Sequence, residues 1–140
     1  MKKQISVLLF FLLSIQFGFT SCTKKTAESN PNFSLTEFLI AAPWKVSYFK
    51  NGPNEITTEF ENYTITFLSN GKIYAANSVE TITGSWTNEN SATQLNLLVN
   101  GNNPLPYLSK NWMVTSTENS TLILQENNSG FINELRLVRK

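Results

Sequence analysis

The sequence contains no histidine and no aspartate, and its 140 residues include a single cysteine, Cys22. A Ser/His/Asp triad needs two of the missing residue types, and a Cys/His pair needs histidine. The common zinc and iron sites are built from several histidine or cysteine ligands. These absences exclude the usual hydrolase triads and metal centres, and we expect neither a metal ion nor a cofactor.

Glutamate is the only acidic residue type, and its ten copies are scattered along the chain. Two carboxylates can hydrolyse a glycosidic bond, but only Glu59 and Glu61 lie close together, in a polar segment typical of solvated charges. We therefore predict that the protein is not an enzyme. Its lysines and arginines form no basic stripe beside aromatic residues, so nucleic acid is not an expected partner.

Only one long apolar run is present, over residues 5–19, and it follows Lys2 and Lys3. It is shorter than the roughly 20 apolar residues that span a bilayer, so residues 1–21 are predicted to be a secretory signal peptide. In an exported protein the lone thiol of Cys22 has no intramolecular disulfide partner. It is a free thiol, an intermolecular bridge or an attachment point.

The apolar run is followed by Thr20, Ser21 and Cys22, which resemble the lipobox of bacterial lipoproteins. Phe19 departs from that pattern, because the family prefers an aliphatic residue there. The resemblance implies cleavage before Cys22 and lipidation of its thiol. Acyl chains contribute about 0.8 kcal/mol per buried methylene, enough in combination to hold a protein at a membrane. The alternative is an ordinary secretory signal cut nearby.

Residues 22–33 lack periodicity and have few apolar side chains, which predicts a flexible tether between the membrane and a domain over residues 34–140. Some Bacteroidetes lipoproteins carry acidic residues after the cysteine as a surface-export signal. Lys24 and Lys25 occupy these positions instead, which favours the periplasmic side of the membrane. The expected location is the bacterial cell envelope, as an outer-membrane lipoprotein facing the periplasm.

Ser34 and Glu37 form a capping-box pattern that predicts a helix of about two turns ending before Pro43. The pattern then changes to short alternating runs rich in β-branched and aromatic residues, which is typical of half-buried strands. Eight strands are predicted over residues 44–48, 63–67, 73–76, 81–87, 94–99, 112–116, 121–126 and 131–138.

Short strands joined mostly by tight turns, with no long helix for a parallel crossover, predict an all-β antiparallel fold. An eight-stranded up-and-down barrel is favoured because closure removes exposed edges, and a β-sandwich is the alternative. The turn at Asn70 and Gly71 leaves the register open: Phe67 pairs with Tyr74 across a two-residue loop, or with Ile73 across a three-residue loop. Gly84 is expected to make room for a neighbouring side chain or to allow a strand bend.

Several motifs occur in a characteristic order and spacing: the lipobox, the short helix, Trp44, Phe67, Asn70-Gly71-Lys72, Gly84-Ser85-Trp86 and Leu135-Arg136-Leu137. Together they resemble the lipocalin-like domain lipoproteins of Bacteroidetes over roughly residues 35–140. The chain departs from the pattern before Trp44, where the family usually has a glycine. The resemblance implies an eight-stranded barrel or half-barrel that holds a small apolar ligand.

An eight-stranded barrel is either filled by its side chains or holds one small ligand. Alternation places three tryptophans and several other aromatic residues inside, and their volume favours a packed interior. An open cavity is the alternative. For a cavity, the candidate wall residues are Tyr48, Tyr63, Phe67, Trp86 and Trp112, because aromatic side chains line ligand pockets. Trp44 is predicted instead to be a structural plug, stacked by Arg136 or Arg139.

The long connection over residues 100–111 contains Pro104, Leu105, Tyr107 and Leu108. Loops of this length are often functional, so it is interpreted as a lid over the barrel, as a contact patch for a partner, or as a loop packed on the sheet. Two functions follow from these patterns. The first is a membrane-anchored lipocalin-like lipoprotein that binds a small apolar ligand, and the second is a non-catalytic interaction or envelope-assembly module.

Overall fold

A computed structural model describes residues 33–89, 92–128 and 130–140. The predicted signal peptide, Cys22 and nearly all of the predicted tether lie outside the described residues. Among the described residues, no helix has both the length and the apolar character needed to cross a membrane.

The chain enters the domain through a short helix, α1 (Leu35–Ile40). The side-chain hydroxyl of Ser34 accepts a hydrogen bond from the backbone N–H of Glu37, as the capping pattern predicted. Leu35 and Leu39 are buried against the barrel. A helix this short is not stable alone, so packing on the barrel maintains it.

Strands form the rest of the domain. Their bounds are β1 (Trp44–Asn51), β2 (Asn54–Glu55), β3 (Thr64–Phe67), β4 (Lys72–Ala76), β5 (Thr81–Glu89), β6 (Gln94–Leu98), β7 (Asn111–Glu118), β8 (Thr121–Asn128) and β9 (Phe131–Arg139). Within the described residues, β1 and β3 to β9 form an antiparallel sheet that closes through pairing of β1 with β9, and β2 is a short extra strand beside β1. The predicted eight-stranded antiparallel barrel is confirmed, and closure excludes the sandwich.

The hairpin between β3 and β4 adopts the register with Phe67 opposite Ile73. Gly71, at the end of its three-residue loop, has φ +78°, a left-handed conformation that glycine adopts without steric cost. Gly84 on β5 makes room chiefly for backbone rather than for the expected side chain: a Cβ atom there would lie 2.3 Å from the carbonyl oxygen of Leu98 on β6 and 3.0 Å from the Ile73 side chain.

A β-bulge between Val46 and Tyr48 changes which side chains of β1 face inward. Beyond it, Tyr48 pairs with Arg136 and Phe49 pairs with Leu135. Leu135 is buried and Arg136 is exposed, so Phe49 points into the barrel and Tyr48 points out. The prediction that Tyr48 faces the interior is wrong, because the extra residue of a bulge reverses the alternation.

Both ends of the barrel are covered. At one end, Trp44 donates from its indole nitrogen Nε1 to the carbonyl oxygen of Leu39, at 2.8 Å. The guanidinium of Arg139 lies 5.4 Å from the Trp44 ring and 4.4 Å from the Phe38 ring. Trp44 therefore fastens α1 to the barrel, and Arg139 is the arginine that stacks on it.

The opposite end is covered by two 3₁₀ segments, η1 (Thr57–Phe60) and η2 (Leu105–Leu108). Phe60 of η1 is fully buried, with its ring 5.3 Å from that of Phe49. Leu105 and Leu108 of η2 also belong to the core. Side chains from the connections thus close the end that the strands leave open.

Candidate functional site

Phe67 and Trp86, two of the predicted wall residues, pack against each other inside the barrel. Their rings meet edge to face, with centroids 5.6 Å apart, a favourable geometry for aromatic pairs. The Trp86 indole nitrogen donates to the carbonyl oxygens of Leu68 and Lys72, both at 3.0 Å. The polar group of Trp86 is therefore committed to the β3–β4 hairpin.

Trp112 has a similar environment near the opposite end. It is fully buried, and its ring makes an edge contact with Phe49, with centroids 5.9 Å apart. Its indole nitrogen donates to the carbonyl oxygen of Leu108, at 2.9 Å. This bond joins the start of β7 to η2, so Trp112 fills the core and also fixes the covering segment.

Tyr63 has a buried ring, and its hydroxyl donates to the carboxylate of Glu80, at 2.8 Å. The hydrogen bond to Glu80 is the largest influence on the phenol, followed by burial and by the negative charge of Glu80, and together they raise the pKa of Tyr63. The hydroxyl therefore stays protonated and holds the loop before β5.

The connection before β7 is largely built into the domain. Pro104, Leu105 and Leu108 are buried, while Tyr107 is half-buried against the core. The side chain of Ser109 bonds both backbone polar groups of Val99, which ties the connection to β6. The connection therefore belongs to the covered end of the barrel, and its roles as a lid or as a contact patch for a partner stay predictions.

A depression of about 380 Å³ lies beside this covered end, where β1, β8 and β9 meet the start of β7. We name it the mouth pocket, and its lining residues are 51–54, Lys110, Asn128, Phe131 and Asn133. None of the predicted wall residues lines it. A second depression, of about 260 Å³, lies on β5, β6 and the start of β7 around Asn96 and Leu98.

Asn133 forms the floor of the mouth pocket and is 3% exposed. Its side-chain oxygen accepts from the backbone N–H of Gly52, and its amide nitrogen donates to Glu126 Oε2, at 2.6 Å. The same Glu126 oxygen lies 3.5 Å from Lys110 Nζ. A buried polar network of this kind, with its members hydrogen bonded, gives the pocket a fixed floor.

Phe131 forms one side of the pocket and is 54% exposed. It shares a strand face with Asn133, Leu135 and Leu137, because side chains on a strand alternate between the two faces. Ile132, next to it, is 51% exposed and points to the outer face. The pocket thus presents an accessible aromatic ring above a polar floor.

No group of three or more cysteine or glutamate side chains that could hold a metal ion occurs in the described part of the chain. The lining residues of the mouth pocket offer binding groups of three kinds: amides, one ammonium group and an aromatic ring. Sequence reasoning did not find it. The available signal was the inward position of Phe131 at the start of a strand, directly after an asparagine-rich turn.

The described residues define a closed antiparallel barrel with a filled interior and a polar pocket at one end. No protein-family model and no curated protein matches the chain. The chain is similar to the crystal structure of a DUF4847 family protein from Bacteroides vulgatus ATCC 8482, with a TM-score of 0.56 and 14% sequence identity. The similarity covers 76% of this chain and 98% of the other. At this identity the likeness shows the fold alone.

Proposed function

We propose that this protein is a lipid-anchored, lipocalin-like protein of the bacterial cell envelope that binds a small molecule in its mouth pocket. The proposal joins two independent features. The first 22 residues carry the signal and lipobox pattern that ends at Cys22, and the barrel carries a pocket built from several strands and a loop.

The observation that carries the binding function is the accessible ring of Phe131 over the Asn133 floor. Ligand pockets combine apolar surface with a few placed polar groups, and their usual volumes begin at about 300 Å³. The resemblance to lipocalin-like lipoproteins implies a ligand inside the barrel. Because the interior aromatic residues contact one another and bond backbone carbonyls, the mouth pocket is the better-supported location.

Co-purification tests this function. Full-length protein from bacterial envelopes would be analysed by native mass spectrometry, comparing Phe131→Ala with the matched variant Ile132→Ala. These neighbours are nearly equally exposed but face opposite sides of β9. A bound small molecule that is lost only with Phe131→Ala supports the proposal. The same ligand occupancy in both variants contradicts it.

Membrane attachment is tested separately by Cys22→Ser. We expect the variant to move from the membrane fraction to the soluble fraction while its near-ultraviolet circular dichroism stays that of the wild type. Wild-type-like membrane association of a folded Cys22→Ser protein would contradict the lipid anchor and the localisation that depends on it.

A second candidate function is protein interaction, and the filled interior together with the exposed pair Phe131 and Ile132 favours it. Apolar side chains on both faces of a strand end are a suitable contact for a partner protein. A photo-crosslinking residue at position 132 would trap such a partner. A specific adduct that Phe131→Ala abolishes, without any bound small molecule, would favour this function over the first.

A further inference from the structure

The mouth pocket contains hydrogen-bonding groups that the protein itself does not use. Asn51 and Asn54 lie directly opposite each other where β1 and β2 pair, so their side chains share one face. Among the residues that the structure describes, no hydrogen bond engages either side-chain amide. Each amide offers both a donor and an acceptor, so the pair suits a ligand whose groups also donate and accept.

The pocket has little net charge. Among the described residues that line it, Lys110 is the only titratable one, and its ammonium is balanced by Glu126 at 3.5 Å. Lys50 and Glu55, which form the next pair of the same hairpin, are exposed and lie on the opposite face by alternation. A strongly charged ligand would find no unpaired counter-charge here.

The apolar surface of the pocket is small. Its larger apolar lining residues are Phe131 and Pro53. An acyl chain needs an enclosed apolar channel to leave water, whereas the ring offers one stacking face at an open edge. The ligand should therefore be a compact molecule with one apolar face and many polar groups at its rim.

We propose that the mouth pocket binds a neutral saccharide, with a C–H face of the sugar on the Phe131 ring and its hydroxyls hydrogen bonded by Asn51, Asn54 and Lys110. This inference rests on the proposed function, because it names the ligand class of the same pocket. Hydroxyl groups both donate and accept hydrogen bonds, which matches the two uncommitted amides.

The test uses native mass spectrometry of the full-length protein, which is released from detergent micelles in the instrument. The neutral probes are cellobiose, maltotriose and chitobiose at millimolar concentration, and the apolar probe is decanoate. The variants are Phe131→Ala and Asn54→Ala in the pocket, with Ile132→Ala as the outer-face control. All three positions are exposed, and thermal unfolding of each variant confirms that it folds.

We expect at least one neutral saccharide to bind, with an affinity that Phe131→Ala lowers about tenfold or more and Ile132→Ala leaves unchanged. Asn54→Ala should also weaken binding. Decanoate bound in place of the saccharides, and lost with Phe131→Ala, would overturn the saccharide assignment and leave the proposed function standing. If neither class of probe binds, or if Ile132→Ala lowers saccharide affinity as much as Phe131→Ala, both would be overturned.

Discussion

The close approach of β5 and β6 at Gly84 gives a quantitative test of the barrel. An alanine Cβ there would lie 2.3 Å from the Leu98 carbonyl oxygen and 3.1 Å from the Val99 Cα atom. Both are backbone atoms, so rotation of a side chain cannot relieve the contact. The strands would have to separate by about an ångström, which overpacking data place at roughly 1–3 kcal/mol.

The matched control is Gly101→Ala. The three atoms nearest its new Cβ atom all belong to side chains: Leu105 Cδ1 at 3.2 Å, and Ile82 Cγ1 and Cγ2 at 3.4 Å. These can shift, and loss of glycine also restricts the unfolded chain by about 0.4–1 kcal/mol, so we expect a change near zero.

Thermal unfolding followed by circular dichroism measures both variants. For a domain of this size each kcal/mol corresponds to about 4–8 °C in Tm, so Gly84→Ala should lower Tm by roughly 5–20 °C. An unchanged Tm for Gly84→Ala, or an equal loss for Gly101→Ala, would refute the described contact between β5 and β6.

Three further predictions concern the contacts that fix the barrel ends and the loop before β5. Trp112→Phe leaves the buried carbonyl of Leu108 without its donor and should lower the free energy of unfolding by about 2–4 kcal/mol in urea titrations. Arg139→Met removes the cation from the Phe38 and Trp44 rings and should lower the free energy of unfolding by roughly 0.5–2 kcal/mol, with faster hydrogen exchange in α1. Unchanged exchange would contradict the stabilisation of α1 by Arg139. The raised pKa of Tyr63 means that the unfolded state releases its proton first as pH rises. The contribution of Tyr63 to the free energy of unfolding is therefore fully present below about pH 10, the ordinary tyrosine pKa, and declines above it. In Tyr63→Phe, the free energy of unfolding should fall less steeply with pH above that value.

Much of the fold was predictable because burial on one face of a strand leaves a strong alternating pattern. The eight barrel strands, the capped helix and the role of Trp44 all follow from local sequence. The orientation of Tyr48 did not, because a bulge adds one residue without changing the apparent alternation of Trp44, Val46 and Tyr48. Phe49, which takes the inward position, gave no separate signal.

The candidate site was less predictable because its parts are far apart in the sequence. Phe131, Lys110 and the β1–β2 hairpin come together only through closure of the barrel. Apart from Tyr48, the aromatic residues that the sequence predicts to face inward form part of the core. The sequence could not show that the volumes of Phe49, Phe60 and the η2 leucines, added to those of the tryptophans, fill the space that a ligand would occupy.

The location of binding is tested most directly by amide NMR spectra of the full-length protein during titration with the neutral saccharides. The account predicts shifts confined to the backbone amides around Gly52, Lys110, Phe131 and Asn133, while the indole N–H signals of the interior Trp44 and Trp86 stay in place. Large shifts of the Trp86 indole signal, with unmoved amides at Phe131 and Asn133, would contradict a filled barrel that binds its ligand at the mouth pocket.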